Sequence, residues 1–128
     1  MQNIYVLMTK LGPATIRDPR GRRSAGREWM AKVKELCPEI HWRGHWSLLG
    51  PYDFLDIYEA PDERSAFRVA LLSRELGAVS AESWPAMEYE EFLGVADRVD
   101  ARVARKRGTR GTKRVTARRR RARASARA

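Results

Sequence analysis

The chain of 128 residues has a single cysteine, two histidines and no apolar run long enough to span a bilayer. Because Cys37 has no partner for an internal disulfide, nothing indicates an oxidising compartment, and a buried, inert thiol is expected. No basic residue precedes the first apolar run, which ends at Thr9-Lys10. This run is too short for a secretory signal. We therefore predict a soluble, cytoplasmic protein that has no membrane as partner.

Acidic residues are absent after Asp100, and aromatic residues are absent after Phe92. Residues 101–128 hold 13 of the 26 basic residues, which leaves 13 basic against 16 acidic residues in 1–100. The whole net charge of +10 therefore comes from the last 28 residues, while the front part is near −3. Without large apolar side chains, such a tail cannot bury enough surface to offset chain entropy. The sequence predicts a folded domain over 1–100 and a disordered basic tail over 101–128.

The basic tail predicts an anionic polymer as partner. Its guanidinium groups suit phosphates, but it has no aromatic ring to stack on bases and no fixed geometry. We therefore expect sequence-independent nucleic-acid association, and the alternative is an extension without a selected role. A second basic segment, 17–27, is either a phosphate site or a solvated loop. The candidate nucleic-acid contacts are Arg105, Lys106, Arg107, Arg110, Lys113, Arg114, Arg118, Arg119, Arg120, Arg121 and Arg123.

The order of strands and helices follows from apolar periodicity. Strands are predicted over 4–11, 40–49, 54–60 and 78–86. Helices are predicted from an N-cap at Ser24 to Pro38, from Pro61 to Gly77, and from about 88 to 105; residues 14–23 are expected to form a loop with at most one helical turn. This order is the split β-α-β pattern of an α+β, ferredoxin-like fold, with a four-stranded antiparallel sheet and two helices on one face.

The first strand is apolar on both sides, so the second face of the sheet also needs a cover. Either a second copy packs sheet against sheet, or the C-terminal helix folds back within one chain. The layer argument favours a symmetric homodimer.

Several segments, in order over residues 3 to 95, resemble the GYD-domain family, whose name matches Gly50, Tyr52 and Asp53 here. The resemblance implies a dimeric α/β-barrel protein. It implies no reaction, because the family has no settled biochemical activity. The chain departs from the pattern at 19–23 and in its basic tail. The matching segments are Tyr5-Val6-Leu7-Met8-Thr9-Lys10-Leu11, Thr15-Ile16-Arg17-Asp18, Trp46-Ser47-Leu48-Leu49-Gly50-Pro51-Tyr52-Asp53-Phe54 and Ile57-Tyr58-Glu59-Ala60-Pro61-Asp62.

The Gly-Pro-Tyr-Asp turn is the first candidate site. Gly50 is expected to supply a backbone angle that other residues resist, and Asp53 to accept bonds from nearby amides. A ligand contact from Tyr52 and Asp53 is the alternative, and the needs of a hairpin connection favour the structural interpretation.

A polar row on the second strand is the other candidate site. Strict alternation places His41, Arg43 and His45 on one face, with the two imidazoles about 13 Å apart, which is too far to share one metal ion. If this row lines the barrel cavity, it forms a pocket for a small anionic or aromatic ligand, with acid–base groups for an enzyme or sensor; otherwise it is simply solvated. No metal and no cofactor is expected. The candidate ligand contacts are His41, Arg43, His45, Tyr52, Asp53, Asp56 and Tyr58.

The four tryptophans are either core residues or a stacking surface for a flat ligand. Helix and strand spacing favours the core for Trp29, Trp42 and Trp46 and leaves Trp84 open. No nucleophile motif or phosphate-binding glycine loop is present in the sequence, so the residues do not decide whether the protein is an enzyme.

Overall fold

The computed structural model describes residues 2–125, and the side chains of all of these except residues 16, 21, 111–119 and 122–125. The chain divides after Met87 into two compact units. In chain order the elements are β1 (Asn3–Leu11), α1 (Pro13–Arg17), α2 (Pro19–Leu36), β2 (His41–Ser47), β3 (Phe54–Ala60), α3 (Glu63–Glu75), β4 (Ala78–Ala86) and α4 (Tyr89–Ser125).

The four strands form one antiparallel sheet in the order β2-β3-β1-β4. This is the ferredoxin-like α+β arrangement that the order of elements predicts, with the central strands β1 and β3 paired along most of their length. Asp62 caps α3 through its side chain, and Gly77 follows the helix with a φ of 105°. Both ends of α3 therefore agree with the sequence pattern.

The core lies between α2, α3 and one face of the sheet. Val33 from α2 and Cys37, which caps its end, meet Val69 from α3 over the buried Leu7 and Tyr58 of the central strands. Leu36, which helical spacing places on the same face as Val33, is instead exposed, and Cys37 occupies the buried position. The burial predicted for Cys37 is confirmed.

The loop predicted over 14–23 is wrong. Pro19 stands at the first position of α2, where its missing N–H costs no hydrogen bond, and the Asp18 carboxylate accepts from the backbone N–H of Arg20 at 3.0 Å. The helix therefore begins a turn and a half before Ser24, and Ser24 is an interior residue rather than the N-cap. Gly21 lies within the helix and does not end it.

A β-bulge at Arg43 is the main departure from the predicted strands. Trp42 pairs with Tyr58, but Gly44 pairs with Ile57, so that Arg43 is skipped in the register. The alternation of faces shifts by one residue, which brings His45 to the helix-covered face together with Trp42. The predicted grouping of all the polar β2 residues on one face is therefore wrong.

The other face of the sheet, called here the open face, carries Val6 and Met8 of β1 and Ile57 of β3. Trp46 and Trp84 extend this face on the edge strands and are 51% and 45% exposed. The core position predicted for Trp46 is therefore wrong, whereas Trp29 and Trp42 pack against the core as predicted.

The last helix, α4, forms the second unit of the chain. It begins at Tyr89, close to the start predicted near residue 88, and continues past residue 105 to Ser125. Arginine and alanine, which dominate this segment, are among the best helix formers, and this accounts for the extension. The disorder predicted for the free tail stays a prediction.

Candidate functional site

A cavity of about 250 Å³ lies between α2 and the helix-covered face of the sheet, at the end where β1, β2 and β3 meet. Its apolar wall includes Leu11, Trp29, Met30, Phe54 and Leu76. Its polar lining consists of Thr9, Arg22, His45, Asp56 and Ser73. A mostly apolar wall with few convergent polar groups is typical of a small-molecule site.

The polar centre of the cavity is a histidine–carboxylate pair on neighbouring strands. His45 and Asp56 are register partners of β2 and β3, and His45 Nδ1 lies 2.6 Å from Asp56 Oδ1. The Asp56 side chain is 2% exposed, whereas that of His45 is 54% exposed. The imidazole also stacks on the Phe54 ring, with the ring centres 5.1 Å apart. The pair therefore joins a buried carboxylate to an accessible imidazole that is held on two sides.

Burial raises the pKa of Asp56 above its ordinary value, and the nearby His45 offsets part of this rise. The buried carboxylate has His45 as its hydrogen-bond partner. A proton on His45 Nδ1 satisfies this carboxylate and leaves Nε2 as a hydrogen-bond acceptor.

Two other polar groups of the cavity are already satisfied within the protein. The Trp29 indole N–H donates to Ser73 Oγ at 2.8 Å, and the Ser73 hydroxyl donates to the carbonyl of Val69 at 2.8 Å. The first bond joins α2 to α3 and holds the indole ring as a wall of the cavity, while the second lies within α3. The Trp29 and Ser73 donors are thus used for structure, which leaves Thr9, Arg22 and the His45–Asp56 pair as the polar groups of the lining.

The predicted ligand contacts do not form a single site. His45 and Asp56 come together at the cavity, whereas His41 and Arg43 lie with the open face, where Arg43 pairs with Glu59 at 2.6 Å. Tyr58 is fully buried, and its hydroxyl shares a 2.7 Å hydrogen bond with Ser83. Burial raises the pKa of Tyr58 to about 12.

The Gly-Pro-Tyr-Asp turn connects elements rather than lining the cavity. The Asp53 carboxylate accepts from the backbone N–H of Leu11 at 2.7 Å, as the structural interpretation of the turn predicts. The Tyr52 hydroxyl donates to Glu82 at 2.8 Å, which raises the pKa of Tyr52, and its ring packs edge-on against Trp84. The special angle predicted for Gly50 is wrong, because Gly77 alone among the described residues has a positive φ.

All of the candidate nucleic-acid contacts lie on α4, but the structure describes the side chains of only some of them. Those with described side chains are all exposed: Arg105, Lys106, Arg107, Arg110, Arg120 and Arg121. The side chains of the others lie outside the described residues: Lys113, Arg114, Arg118, Arg119 and Arg123.

Sequence reasoning did not predict that α2 lines the cavity: Arg22 was considered only as part of the basic segment 17–27, and Gly26 and Met30 were not considered. With the helix start set at Ser24, Arg22 belonged to a loop, and the proline at the first helical position was the signal for the earlier start. The side of the sheet that His45 faces had one signal, Gly44, because a glycine inside a strand pattern often marks a bulge.

The family model for the GYD domain matches residues 5–96. The match covers both the candidate cavity and the turn that contains Gly50, Tyr52 and Asp53. The chain therefore belongs to the GYD domain family. No curated protein and no solved structure matches the chain.

Metal ligation and membrane spanning find no support in the part of the chain that the structure describes. No group of three or more histidine, cysteine, aspartate and glutamate side chains is placed to hold a metal ion there. None of the helices there combines the length and apolar character needed to cross a membrane.

Proposed function

We propose that this GYD-domain protein associates with nucleic acid without sequence preference, through the basic side chains of residues 101–128. The observation that carries the proposal is the placement of 13 basic residues in a segment without a single acid. Among the described residues of this segment, every arginine and lysine side chain is exposed and none is in an ion pair. These cations are therefore available to phosphates.

The same segment supports phosphate contacts rather than base contacts. Arg105, Lys106 and Arg107 are consecutive, so their side chains point about 100° apart around α4. They therefore do not form a single basic stripe that faces one groove of a duplex. Sequence preference requires side chains fixed against base edges, and aromatic rings for stacking are absent after Phe92. Affinity then comes from released counterions, with a slope of log K against log salt of at most about −12 for 13 contacts.

The test is fluorescence anisotropy of a labelled duplex with the full chain over a salt series. We expect steep salt dependence, and a loss of about four from the slope when Arg118, Arg119, Arg120 and Arg121 are replaced by glutamine. The matched control replaces four exposed arginines of the first unit, Arg17, Arg20, Arg23 and Arg27, by glutamine. Equal losses in the two variants would place the contacts elsewhere, and no binding at low salt would end the proposal.

We also propose that two copies pair through their open faces. The support is the apolar character of this face, since Ile57 lies beside Val6 in the register and the partly exposed Trp46 and Trp84 flank these central strands. Sedimentation velocity tests this with Trp84→Glu, and the control is Phe67→Glu at an exposed aromatic residue of α3. A dimer that dissociates only in the Trp84 variant supports the proposal, and a monomeric wild type contradicts it.

A second candidate function is non-catalytic binding of a small ligand in the cavity between α2 and the sheet. The observation that favours it is the combination of an apolar wall and one His45–Asp56 pair. A cavity of about 150 Å³ holds benzene, so the volume of about 250 Å³ suits one substituted aromatic ring.

The probe for this second function is 4-nitroanisole, measured by equilibrium dialysis against the full chain. Gly26→Leu is the blocking variant, because Gly26 lines the cavity and a Cβ there meets no atom within 4 Å. Saturable binding that Gly26→Leu abolishes supports the site. Absence of binding, or binding that the variant does not change, contradicts it.

A further inference from the structure

The cavity contains a proton acceptor placed beside an aromatic-sized space. We propose that His45 Nε2 accepts the proton of an acidic hydroxyl, such as a phenol or enol, on a one-ring aromatic ligand bound in this cavity. The proposal rests on the second proposed function, ligand binding in the cavity, and adds the chemical class of that ligand.

The position of the proton follows from the His45–Asp56 contact. With Asp56 Oδ1 at 2.6 Å, Nδ1 is the nitrogen that carries hydrogen in the neutral imidazole. Nε2 is then the acceptor, and the His45 side chain, which lines the cavity, is 54% exposed. The stacked Phe54 ring and the carboxylate together fix the plane of the imidazole.

The step is a balanced proton transfer. The O–H bond of the ligand breaks, its electron pair stays on oxygen, and an N–H bond forms at Nε2. The resulting imidazolium lies beside the Asp56 carboxylate, which stabilises it as in other histidine–carboxylate pairs. No oxidant, reductant or further reactant takes part.

The charges around the cavity suit the anion that this step produces. Besides His45, the charged side chains that line the cavity in the described residues are Asp56 from β3 and Arg22 from α2. The carboxylate is paired with the imidazole, and Arg22 adds a guanidinium to the cavity lining. Arg22 and the imidazolium are therefore the two cations of the cavity lining that can pair with a phenolate.

The apolar wall of the cavity indicates the shape and chemical character of the rest of the ligand. Trp29, Phe54 and Met30 offer two ring surfaces and a thioether, which favour a flat aromatic body. The indole N–H of Trp29 is bonded to Ser73 and does not compete for the ligand's oxygen. A ligand with one aromatic ring and one acidic hydroxyl thus matches both the apolar wall and the polar lining of the cavity.

The experiment compares 4-nitrophenol with its methyl ether 4-nitroanisole, because the visible spectrum of the phenol reports its ionisation directly. At a pH just below the pKa of the free phenol, we expect the bound probe to be ionised. His45→Gln should weaken its binding at least about tenfold, the effect of losing a hydrogen bond to a charged group, while 4-nitroanisole binds as before. His41→Gln is the matched control, since this histidine lies on the other face, and it should change neither probe.

Asp56→Asn is the second variant, because it keeps an oxygen acceptor for Nδ1–H but removes the charge. We expect it to bind 4-nitrophenol un-ionised, with a melting temperature recorded to show that it folds. If wild type binds both probes alike and leaves the phenol un-ionised, the proton acceptor is wrong while the ligand site stands. If neither probe binds, the ligand site is wrong as well.

Discussion

His41 and His45 lie four residues apart on β2 and on opposite faces of the sheet, because the bulge at Arg43 shifts the alternation by one residue. One imidazole consequently belongs to the open face, while the other pairs with Asp56 at the cavity. The two histidines of the chain therefore have separate surroundings, and each serves as the control for the other.

The bulge also brings Trp46 over Gly44, where an added Cβ would lie 2.2 Å from the indole ring. We expect Gly44→Ala to displace the ring and to lower the free energy of unfolding by about 1 kcal/mol, at the lower end for overpacking because the ring is half exposed. Urea unfolding followed by tryptophan fluorescence measures this. Gly50→Ala, with open space around the added methyl, is the control, and equal losses in both variants would contradict the packing.

The start of α2 is tested by its capping residue. Asp18→Ala removes the acceptor of the Arg20 N–H bond and should cost about 1 kcal/mol of unfolding free energy. Ser24→Ala, at an exposed interior position, should change stability by less than about 0.5 kcal/mol, because alanine is a good helix former. If Ser24→Ala instead loses more stability than Asp18→Ala in thermal or urea unfolding, the helix starts at Ser24 and the prediction is wrong.

The bond between α2 and α3 is tested at Ser73. Ser73→Ala leaves the Trp29 indole N–H without its acceptor, and we expect a loss of about 1 to 2 kcal/mol in unfolding free energy. Ser80→Ala on β4 removes a serine hydroxyl that has no hydrogen bond in the described part of the chain. If the two variants are equally stable in urea, the indole bond does not stabilise the fold.

Tyr58 should make the protein sensitive to alkali. Burial raises its pKa from 10.0 to about 12, so between these values the folded chain keeps a proton that the unfolded chain releases. The free energy of unfolding therefore falls as pH rises through this window, by about 1 kcal/mol at pH 11. Urea unfolding at pH 8 and pH 11 should show this loss in wild type.

Tyr58→Phe isolates the contribution of this one group from other titrating residues. The variant loses the hydrogen bond with Ser83 and should be about 1 kcal/mol less stable at pH 8. Its further loss between pH 8 and pH 11 should be smaller than that of wild type. An equal loss in both proteins would show that Tyr58 does not cause the alkaline sensitivity.

Much of the fold is readable from local signals. Gly77, the only described residue with a positive φ, ends α3 where the sequence places the stop, and the 78–86 strand follows with the predicted bounds. The faces of β1 and β3 also follow from simple alternation, because both strands are paired on both sides and the register shift of β1 lies only at its end, between Lys10 and Leu11. The alternation of β3 by itself therefore assigns Asp56 to the Tyr58 side of the strand.

The sequence by itself determined the ferredoxin-like order of elements, the family and the separation of charge between the front part and residues 101–128, because each depends on local composition or pattern. Only the tertiary structure decided that His45 meets Asp56, since the pairing register across two strands and the bulge at Arg43 leave no periodic trace. The cavity too required the structure, because its wall combines Trp29 of α2 with Phe54 of β3, whose contact depends on how a helix packs across the sheet.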